Sequence, residues 1–556
     1  MSKLQKFRML GAAAVTAGIL AIPNVAMACT TLYVGGNLMD DGVPVVARSE
    51  DYTNSRAKMW TISEAGAFKK GDLYIGCRDY GAFEWTWSHD SYRFISFKAD
   101  NEFDPEGRCP ECGEPGHPSY TESGTNEMGV TVSATETLNG NGKVNGRNVD
   151  PMVTKKVDGI VGIEESDIPT VILSEAASAR EGVELLLDIY DNYGCYYASG
   201  LFIADQNEIW YIENCSGTQY VALKLHDDIM FLEPNMSVIG TIDLDDTENV
   251  IASDRLIEVA KLAGTFVGDE EENIINYRAS YSRLGSSSRN RLSNGINFLN
   301  ASYGYAEADL NADNSLYTIS NIDADGQIVP LYTNIEADRA LTVDDIVNYY
   351  KVDGIANTGN TDTAFFQIYK EADRCKEYGT VEWTSMSHGA YNVFIPNYPM
   401  LMDQTYEGYR AAVGEASKNL AQKPEDGLFY RTSATGKYTR LPKDWEKSFY
   451  WCFDGLSNYI LYAQYDDDAV TDEELAYVLD HFADMQKEIY SEFDKLNKKI
   501  LTKNPASPSV RNQVTTVNEK LSKTTHQTAL AMINYLRDGQ TDLDIDHKGK
   551  IFKKNK

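Results

Sequence analysis

The sequence joins an export-signal pattern directly to a strand-like run, and a cysteine stands at the junction. Ala26-Met27-Ala28 is the small-residue pattern that ends a secretory signal peptide, and Cys29 follows it at once. A basic start and an apolar run over 9–22 precede this pattern, and the run is shorter than the roughly 18–20 residues that span a bilayer. Cleavage after Ala28 would leave a thiol and a free α-amine on one residue, which together form a compact nucleophile–base pair.

The composition limits the compartment and the partners. With a signal peptide over 1–28, we expect a secreted or cell-envelope protein, in an extracellular or periplasmic location. The 556 residues carry 51 basic and 83 acidic side chains, a formal net charge of -32, which argues against nucleic acid and anionic membranes as partners. We expect no membrane span, because no later run is apolar enough, and the composition leaves a homo-oligomer open.

Two short patterns resemble metal sites and do not complete one. Cys109-Pro110-Glu111-Cys112 is a lone CxxC, whereas zinc needs a second set of ligands, so a local disulfide or loop clasp is favoured. The segment 321–326 resembles the front of a calcium loop, but its twelfth position is Tyr332 instead of glutamate. We therefore expect neither a metal nor another cofactor.

The order of strand-like and helix-like segments predicts the fold class. Residues 30–36 and 43–47 flank an Asp-Asp-Gly turn and predict a hairpin that begins at Cys29. Later strand-like runs occur in groups, and helical patterns are predicted over 167–193, 247–263, 342–350, 471–501 and 509–536. Thr342 and Asp345 form a capping signal for the third of these helices. Grouped strands and helices favour an α+β fold over repeated βαβ units.

The hairpin would bring two charged residues back to Cys29. Arg48 and Asp51 follow the second strand, where the chain returns to the start of the first. An α-amine has a reference pKa of roughly 7.7–8.0 and suits a general base, and a cation such as Arg48 favours the thiolate. Asp51 could hold the amine. Asn126 and Asn235, each at a strand-to-loop junction, are candidate donors to an oxyanion.

Each of these residues also has a purely structural interpretation. Arg48 and Asp51 could form a surface ion pair at a strand end, and Asn126 and Asn235 could be turn residues. His388 could serve as the base of a Cys–His enzyme, although a histidine in a Ser-His-Gly turn is more often a turn residue. The order of these residues and their relation to the cleavage pattern therefore carry more weight than any one of them.

Several motifs together resemble peptidase family C69 of the N-terminal-nucleophile hydrolases. They include CTTLYVG, VARSED and NEMGV, and the matching segments are 29–35, 46–51, 126–130, 133–136, 204–205, 210–213, 379–383 and 393–396. The resemblance implies a four-layer αββα sandwich that cleaves dipeptides with Cys29 as nucleophile. It also implies Arg48 and Asp51 around the nucleophile, and Asn126 and Asn235 near the oxyanion. The related bile-salt hydrolases and penicillin acylases use a later arginine, and Arg291 is a candidate that we leave out of the predicted site.

The sequence predicts a secreted cysteine dipeptidase with four parts. These are a signal peptide over 1–28, a hydrolase domain over 29–465, a C-terminal helical region over 466–545 and a basic tail over 546–556. One alternative is an N-acyl amide hydrolase on the same scaffold. Another is a lipid-anchored non-enzymatic surface protein, because 25–29 is a degenerate lipobox, but Ala26, Met27 and the lack of a tether after Cys29 disfavour it. Signal peptidase and self-cleavage both stay open as the means of exposing Cys29.

Overall fold

The computed structural model describes most of the chain after the predicted signal peptide. The described residues are 29–51, 57–76, 83–99, 121–135, 138–146, 149–154, 160–283, 291, 294–295, 298–299, 340–424, 428–432, 436–462, 470–538, 543–545 and 551–553. The signal peptide, the CxxC motif, the calcium-like segment and most of the basic tail lie outside these residues.

The described strands and helices have the following bounds. The first twelve strands are β1 Thr30–Val34, β2 Val45–Asp51, β3 Lys58–Ser63, β4 Leu73–Ile75, β5 Glu84–Thr86, β6 Phe94–Ala99, β7 Thr121–Asn126, β8 Thr131–Thr135, β9 Ser199–Ala204, β10 Ile209–Asn214, β11 Tyr220–Lys224 and β12 Met230–Glu233. The others are β13 Thr241–Asp243, β14 Val250–Ala252, β15 Gly268–Asp269, β16 Ile274–Asn276, β17 Asn360–Ile368, β18 Thr380–Met386, β19 Ile395–Asn397, β20 Ser417–Leu420, β21 Phe429–Thr432, β22 Lys437–Arg440, β23 Leu543–Ile545 and β24 Ile551–Lys553. The helices are α1 Ile168–Glu175, α2 Ala179–Asn192, α3 Leu256–Ala263, α4 Tyr277–Tyr281, α5 Val343–Tyr349, α6 Phe449–Tyr462, α7 Asp472–Ile500 and α8 Pro508–Asp538.

A six-stranded antiparallel sheet carries Cys29 at the start of an inner strand. Its strand order is β12-β1-β2-β17-β18-β19. The predicted hairpin is confirmed, since β1 pairs with β2 from Thr30 opposite Ser49 to Val34 opposite Val45. Gly42 has a φ of 72° in the turn between them, a backbone conformation that glycine adopts without strain.

An eight-stranded antiparallel sheet packs face to face on the first one. Its order is β14-β11-β10-β9-β8-β7-β6-β3. Side chains along β9 point alternately to the two faces of the sheet. Phe202 therefore packs into the core between the sheets, while Leu201 and Ile203 pack into a second core. Phe202 meets Tyr33 of the first sheet with ring centroids 6.3 Å apart.

Helices cover both outer faces, which confirms the predicted αββα sandwich. The second core joins the eight-stranded sheet to α1 and α2. On the other side, Trp383 of β18 stacks on Phe365 and meets Tyr490 and Phe493 of α7 edge to face. The C-terminal helices, predicted as an addition to the sandwich, thus cover the six-stranded sheet. The domain boundaries stay predictions.

Two predicted helices have different bounds in the structure. The predicted helix 167–193 is two helices, because Ser178 caps α2 by accepting a hydrogen bond from the Glu181 backbone N–H at 3.2 Å. Within the predicted helix 247–263, residues 250–252 instead form β14. The capping box of α5 is confirmed, with Thr342 and Asp345 bonded reciprocally.

The three remaining helix predictions agree closely with the bounds of α5, α7 and α8. In the described part of the chain, the helices are too short or too polar to cross a membrane.

Candidate active site

Cys29 is buried where β1 begins, between β12 and β2 on either side. Cys29 is only 3% exposed, and its thiol is not part of a disulfide. The Arg48 Nη2 donates toward the Cys29 Sγ at 3.4 Å. The hairpin therefore brings the guanidinium to the thiol, as the spacing predicted.

Arg48 is the centre of a buried ionic cluster. Its Nη2 lies 2.7 Å from an oxygen of Glu165 and also pairs with Glu50, while its Nη1 lies 3.4 Å from Glu122. Lys58 pairs with Glu122 and lies 3.7 Å from Glu50. Because Arg48 is 2% exposed, the interpretation as a surface ion pair with Asp51 is wrong.

The same cluster has the outline of a metal site. The Cys29 Sγ and one oxygen each of Glu50 and Glu165 lie within 4.8 Å of one another. The Arg48 Nη2 contacts the thiol and both of these carboxylates. The three ligand-like groups thus converge on a cation that the chain itself supplies, so their closeness does not call for a metal ion.

Burial and charge act on the Cys29 thiol in opposite directions. Burial raises the pKa of the thiol well above its usual value, and Arg48 lowers it while Glu50, Glu165 and Asp51 raise it. The neutral thiol is therefore the stable form in this structure. A reaction at this sulfur needs a base that removes the proton.

Asp51 lies in the same buried region and is held by two asparagines. The Asn357 Nδ2 donates to Asp51 at 2.7 Å, and Asn360 donates to its other oxygen. Burial raises the pKa of Asp51 to about 7, although Arg291 and the two amides lower it. Sequence reasoning missed both asparagines, and the Asn-Thr-Gly-Asn turn just before β17 is the signal that marks them.

Arg291 ties the start of β1 to the loop after β12. Its Nη1 donates to the Cys29 carbonyl and, at 3.0 Å, to the Thr30 hydroxyl, and its Nη2 donates to the Pro234 carbonyl at 3.2 Å. Arg291, which was left out of the predicted site, is therefore buried in direct contact with Cys29.

Asn235 lies in this loop, directly after Pro234. Thr31 pairs with Glu233 at the end of β12, and Arg291 donates to the carbonyls of both Cys29 and Pro234. Asn235 has a φ of 62°, a left-handed conformation that is uncommon outside glycine. The loop that carries Asn235 thus lies beside the start of β1, and the role of Asn235 as an oxyanion donor stays a prediction.

The prediction that Asn126 donates to an oxyanion is corrected by the structure, because its side chain is bound to the end of α1. Its Nδ2 donates to the carbonyls of Leu173 at 3.0 Å and Ala176 at 2.8 Å, and its Oδ1 accepts from the backbone N–H groups of Met128 and Val130. Both amide hydrogens are therefore committed to the end of α1. In this arrangement Asn126 is a structural clamp between a strand turn and a helix, and it has no donor to offer an oxyanion.

His388 behaves as the turn residue that the sequence favoured. Its Nδ1 accepts from the Ala390 backbone N–H at 3.3 Å, and its ring packs against Tyr391. Burial lowers the pKa of His388 to about 4, so the ring is neutral at physiological pH.

Sequence reasoning missed most of the ionic cluster. Glu50 is adjacent to Asp51 in the VARSED motif, so its signal was present, whereas the long-range members Lys58, Glu122 and Glu165 have no such signal. Asp362 joins the same region from β17, and burial raises its pKa to about 6 while Lys58 lowers it.

Comparison with known families and proteins adds an independent finding. The model of peptidase family C69 matches residues 28–422. A probable dipeptidase B of Streptococcus pyogenes serotype M6 is 31% identical over 280 residues, 50% of this chain and 51% of that protein. A probable dipeptidase of Salmonella dublin is 33% identical over 260 residues, 46% and 54% of the two chains. The chain spans about half the length of the curated relatives it matches.

A solved structure also matches, at low similarity. A mutant of conjugated bile acid hydrolase from Clostridium perfringens is 12% identical, with a TM-score of 0.23 over 64% of this chain and 89% of that one. At this level the similarity carries no further conclusion about this chain.

Proposed function

The chain belongs to peptidase family C69, and on that premise we propose that it is a cysteine dipeptidase that uses Cys29 as its nucleophile. The observation that carries the proposal is the buried Cys29 thiol at the start of an inner strand, with the Arg48 guanidinium 3.4 Å from its sulfur. The names of the relatives, probable dipeptidases, support peptide-bond hydrolysis.

The reaction begins with an amine that only the processed chain has. Before cleavage after Ala28, the Cys29 nitrogen is an amide and cannot accept a proton. After cleavage, the α-amine takes the thiol proton, and the thiolate attacks the carbonyl carbon of the dipeptide. Arg48 stabilises the thiolate, and Asp51 orients the amine.

The remaining steps return the enzyme to its starting state. Asn235 donates a hydrogen bond to the oxyanion of the tetrahedral intermediate. The intermediate collapses to a thioester on Cys29, and the α-ammonium gives its proton to the departing amine of the second amino acid. The α-amine then takes a proton from water, which attacks the thioester and releases the first amino acid and the thiol.

A substrate panel tests this proposal against an N-acyl amide hydrolase. The purified, processed protein is incubated with dipeptides, N-acyl amino acids and conjugated bile salts, and released amino acid is measured. We expect hydrolysis of dipeptides. Cleavage of N-acyl amino acids or bile salts alone would show that the dipeptidase proposal is wrong.

Export and activation form one further step of the proposal. We propose that the mature protein is secreted or held in the cell envelope and begins at Cys29. Intact-mass analysis of the exported protein should give the mass of the chain from Cys29. A diacylglyceryl adduct on Cys29 would block both the thiol and the amine and would contradict the proposal.

A further inference from the structure

Two buried glutamates lie outside both the predicted site and the Arg48 cluster, and they flank the Asn235 loop. Glu213 ends the family-like segment 210–213 on β10, in the eight-stranded sheet. Glu233 ends β12, in the six-stranded sheet, two residues before Asn235. Both are 0% exposed.

Their carboxyl groups bind the three residues that follow Asn235. Glu233 accepts from the Met236 backbone N–H at 2.9 Å. Glu213 accepts from the Ser237 hydroxyl and, at 2.6 Å, from the Val238 backbone N–H. The loop is thus tied to a strand in each of the two sheets.

The glutamates are themselves held in place. The Tyr211 hydroxyl donates to Glu213 at 3.0 Å, and the Thr135 hydroxyl lies 3.4 Å from a Glu233 oxygen. A Cβ atom at position 200 would lie 2.7 Å from the Tyr211 hydroxyl, which is too close. Glycine at this position therefore avoids a clash with the hydroxyl that binds Glu213. Burial raises the pKa of each glutamate to about 7.

Asn235 has a left-handed backbone, with a φ of 62°. Asparagine tolerates this region better than most residues, although outside glycine it is sparsely populated. Conformations of this kind persist where the surrounding structure holds them in place. The hydrogen bonds to 236–238 begin one residue after Asn235, so they restrain its backbone directly.

We propose that Glu213 and Glu233 are positioning residues that hold the Asn235 amide where the oxyanion forms. The inference rests on the proposed function, in which Asn235 donates to that oxyanion. Neither glutamate touches the substrate. Their effect on the reaction passes through the geometry of the loop.

The test compares Glu213→Gln with a matched control, Glu382→Gln. Glu382 is also a 0% exposed glutamate between the sheets, and it accepts from Trp60 at 3.1 Å instead of binding the loop. We expect Glu213→Gln to lower kcat for a dipeptide about 10- to 100-fold with KM within about threefold, since losing a whole oxyanion donor costs about 10²- to 10³-fold. Glu382→Gln should leave kcat within about threefold.

A second readout separates positioning from loss of the fold. Alkylation of Cys29 by iodoacetamide needs the thiol but no oxyanion, so its rate should stay within about threefold in Glu213→Gln. In an Asn235→Ala background, Glu213→Gln should lower kcat by less than about threefold more, because the group that it positions is gone. If Glu213→Gln does not fold, Ser237→Ala removes one of its bonds and should lower kcat about 3- to 10-fold.

Three outcomes would overturn the inference. They are an equal loss of kcat in Glu213→Gln and Glu382→Gln, a parallel loss of alkylation rate, and a full additional effect of Glu213→Gln in the Asn235→Ala background. If one of these outcomes occurs and the wild-type protein still hydrolyses dipeptides, only the inference fails and the proposed function stands. A wild-type protein with no hydrolase activity overturns the proposed function itself.

Discussion

At the scale of single residues, the thiol of Cys29 and the guanidinium of Arg48 depend on each other. Burial disfavours the thiolate, and Arg48 at 3.4 Å is the group that favours it. Arg48 in turn is buried among three carboxylates, so its charge is compensated before any substrate arrives. The Cys29 thiol is thereby held neutral until a base is present.

Replacing the nucleophile should remove hydrolysis and leave export intact. We expect Cys29→Ser to lower kcat for a dipeptide at least about a hundredfold, because a hydroxyl is far less acidic than a thiol and a weaker nucleophile. Dipeptide hydrolysis and the intact mass of the exported chain measure the two effects. Cys452→Ser, at another buried free cysteine, is the control. Full activity of Cys29→Ser would refute the nucleophile assignment, and accumulation of uncut precursor would support self-cleavage.

The buried carboxyl group of Glu382 should make the stability of the protein depend on pH. Burial raises the pKa of Glu382 to about 8, so the folded state holds a proton that the unfolded chain releases near pH 4.5. Its contribution to stability is therefore present at low pH and is lost as pH rises toward 8. Between pH 5 and 8, we expect the free energy of unfolding of the wild type to fall by up to about 1.4 kcal/mol per pH unit relative to that of Glu382→Gln.

Urea unfolding of both proteins across this pH range measures the difference. If the difference in free energy of unfolding between wild type and Glu382→Gln does not change with pH, then folding does not raise the pKa of Glu382.

At the scale of elements, one asparagine joins a strand turn to the end of a helix. Asn126 closes the turn between β7 and β8 through the N–H groups of Met128 and Val130. It also satisfies two carbonyls at the end of α1, where the chain turns toward α2. A residue predicted for catalysis thus fixes the helical layer on the eight-stranded sheet.

Asn126→Ala should therefore affect stability more than catalysis. Removing the amide leaves three buried backbone groups and one half-buried N–H without their partner, and we expect a loss of about 2–4 kcal/mol in the free energy of unfolding. The kcat of the folded fraction should stay within about threefold. A hundredfold loss of kcat at unchanged stability would restore the oxyanion role that the sequence suggested.

At the scale of the whole molecule, the C-terminal helices complete the sandwich. On α7, Val478, Phe482, Ile489 and Ile500 are buried, and Gln486 bonds the backbone of Phe394 in both directions. Tyr378, just before β18, donates to the carbonyl of Ile500 at 2.9 Å. The layer on which the active-site sheet rests is therefore built from the last quarter of the chain.

Truncation after residue 465 tests whether the predicted hydrolase domain folds alone. Without α7 and α8, the outer face of the six-stranded sheet around Trp383 would be open to water. We expect the truncated chain to lose cooperative thermal unfolding and dipeptide hydrolysis. Cooperative unfolding with activity retained would instead establish residues 29–465 as an independent domain.

The sequence by itself determined the local part of the site. Cys29, Arg48 and Asp51 lie within one hairpin, and period-two alternation with a short turn sets its register. Grouped strands and helices predicted an α+β fold, and the motifs that resemble a known family implied the αββα class. Such features depend on residues close together in the chain, so these predictions were within reach.

Only the tertiary structure decided which distant residues complete the site. Arg48 meets Glu122 and Glu165 across separations of 74 and 117 residues, and Cys29 meets Arg291 across 262. Such pairs depend on the strand order and on how two sheets face each other, which no local pattern encodes. The same holds for Asn126, whose amide could have turned toward Cys29 and instead donates to two carbonyls at the end of a helix.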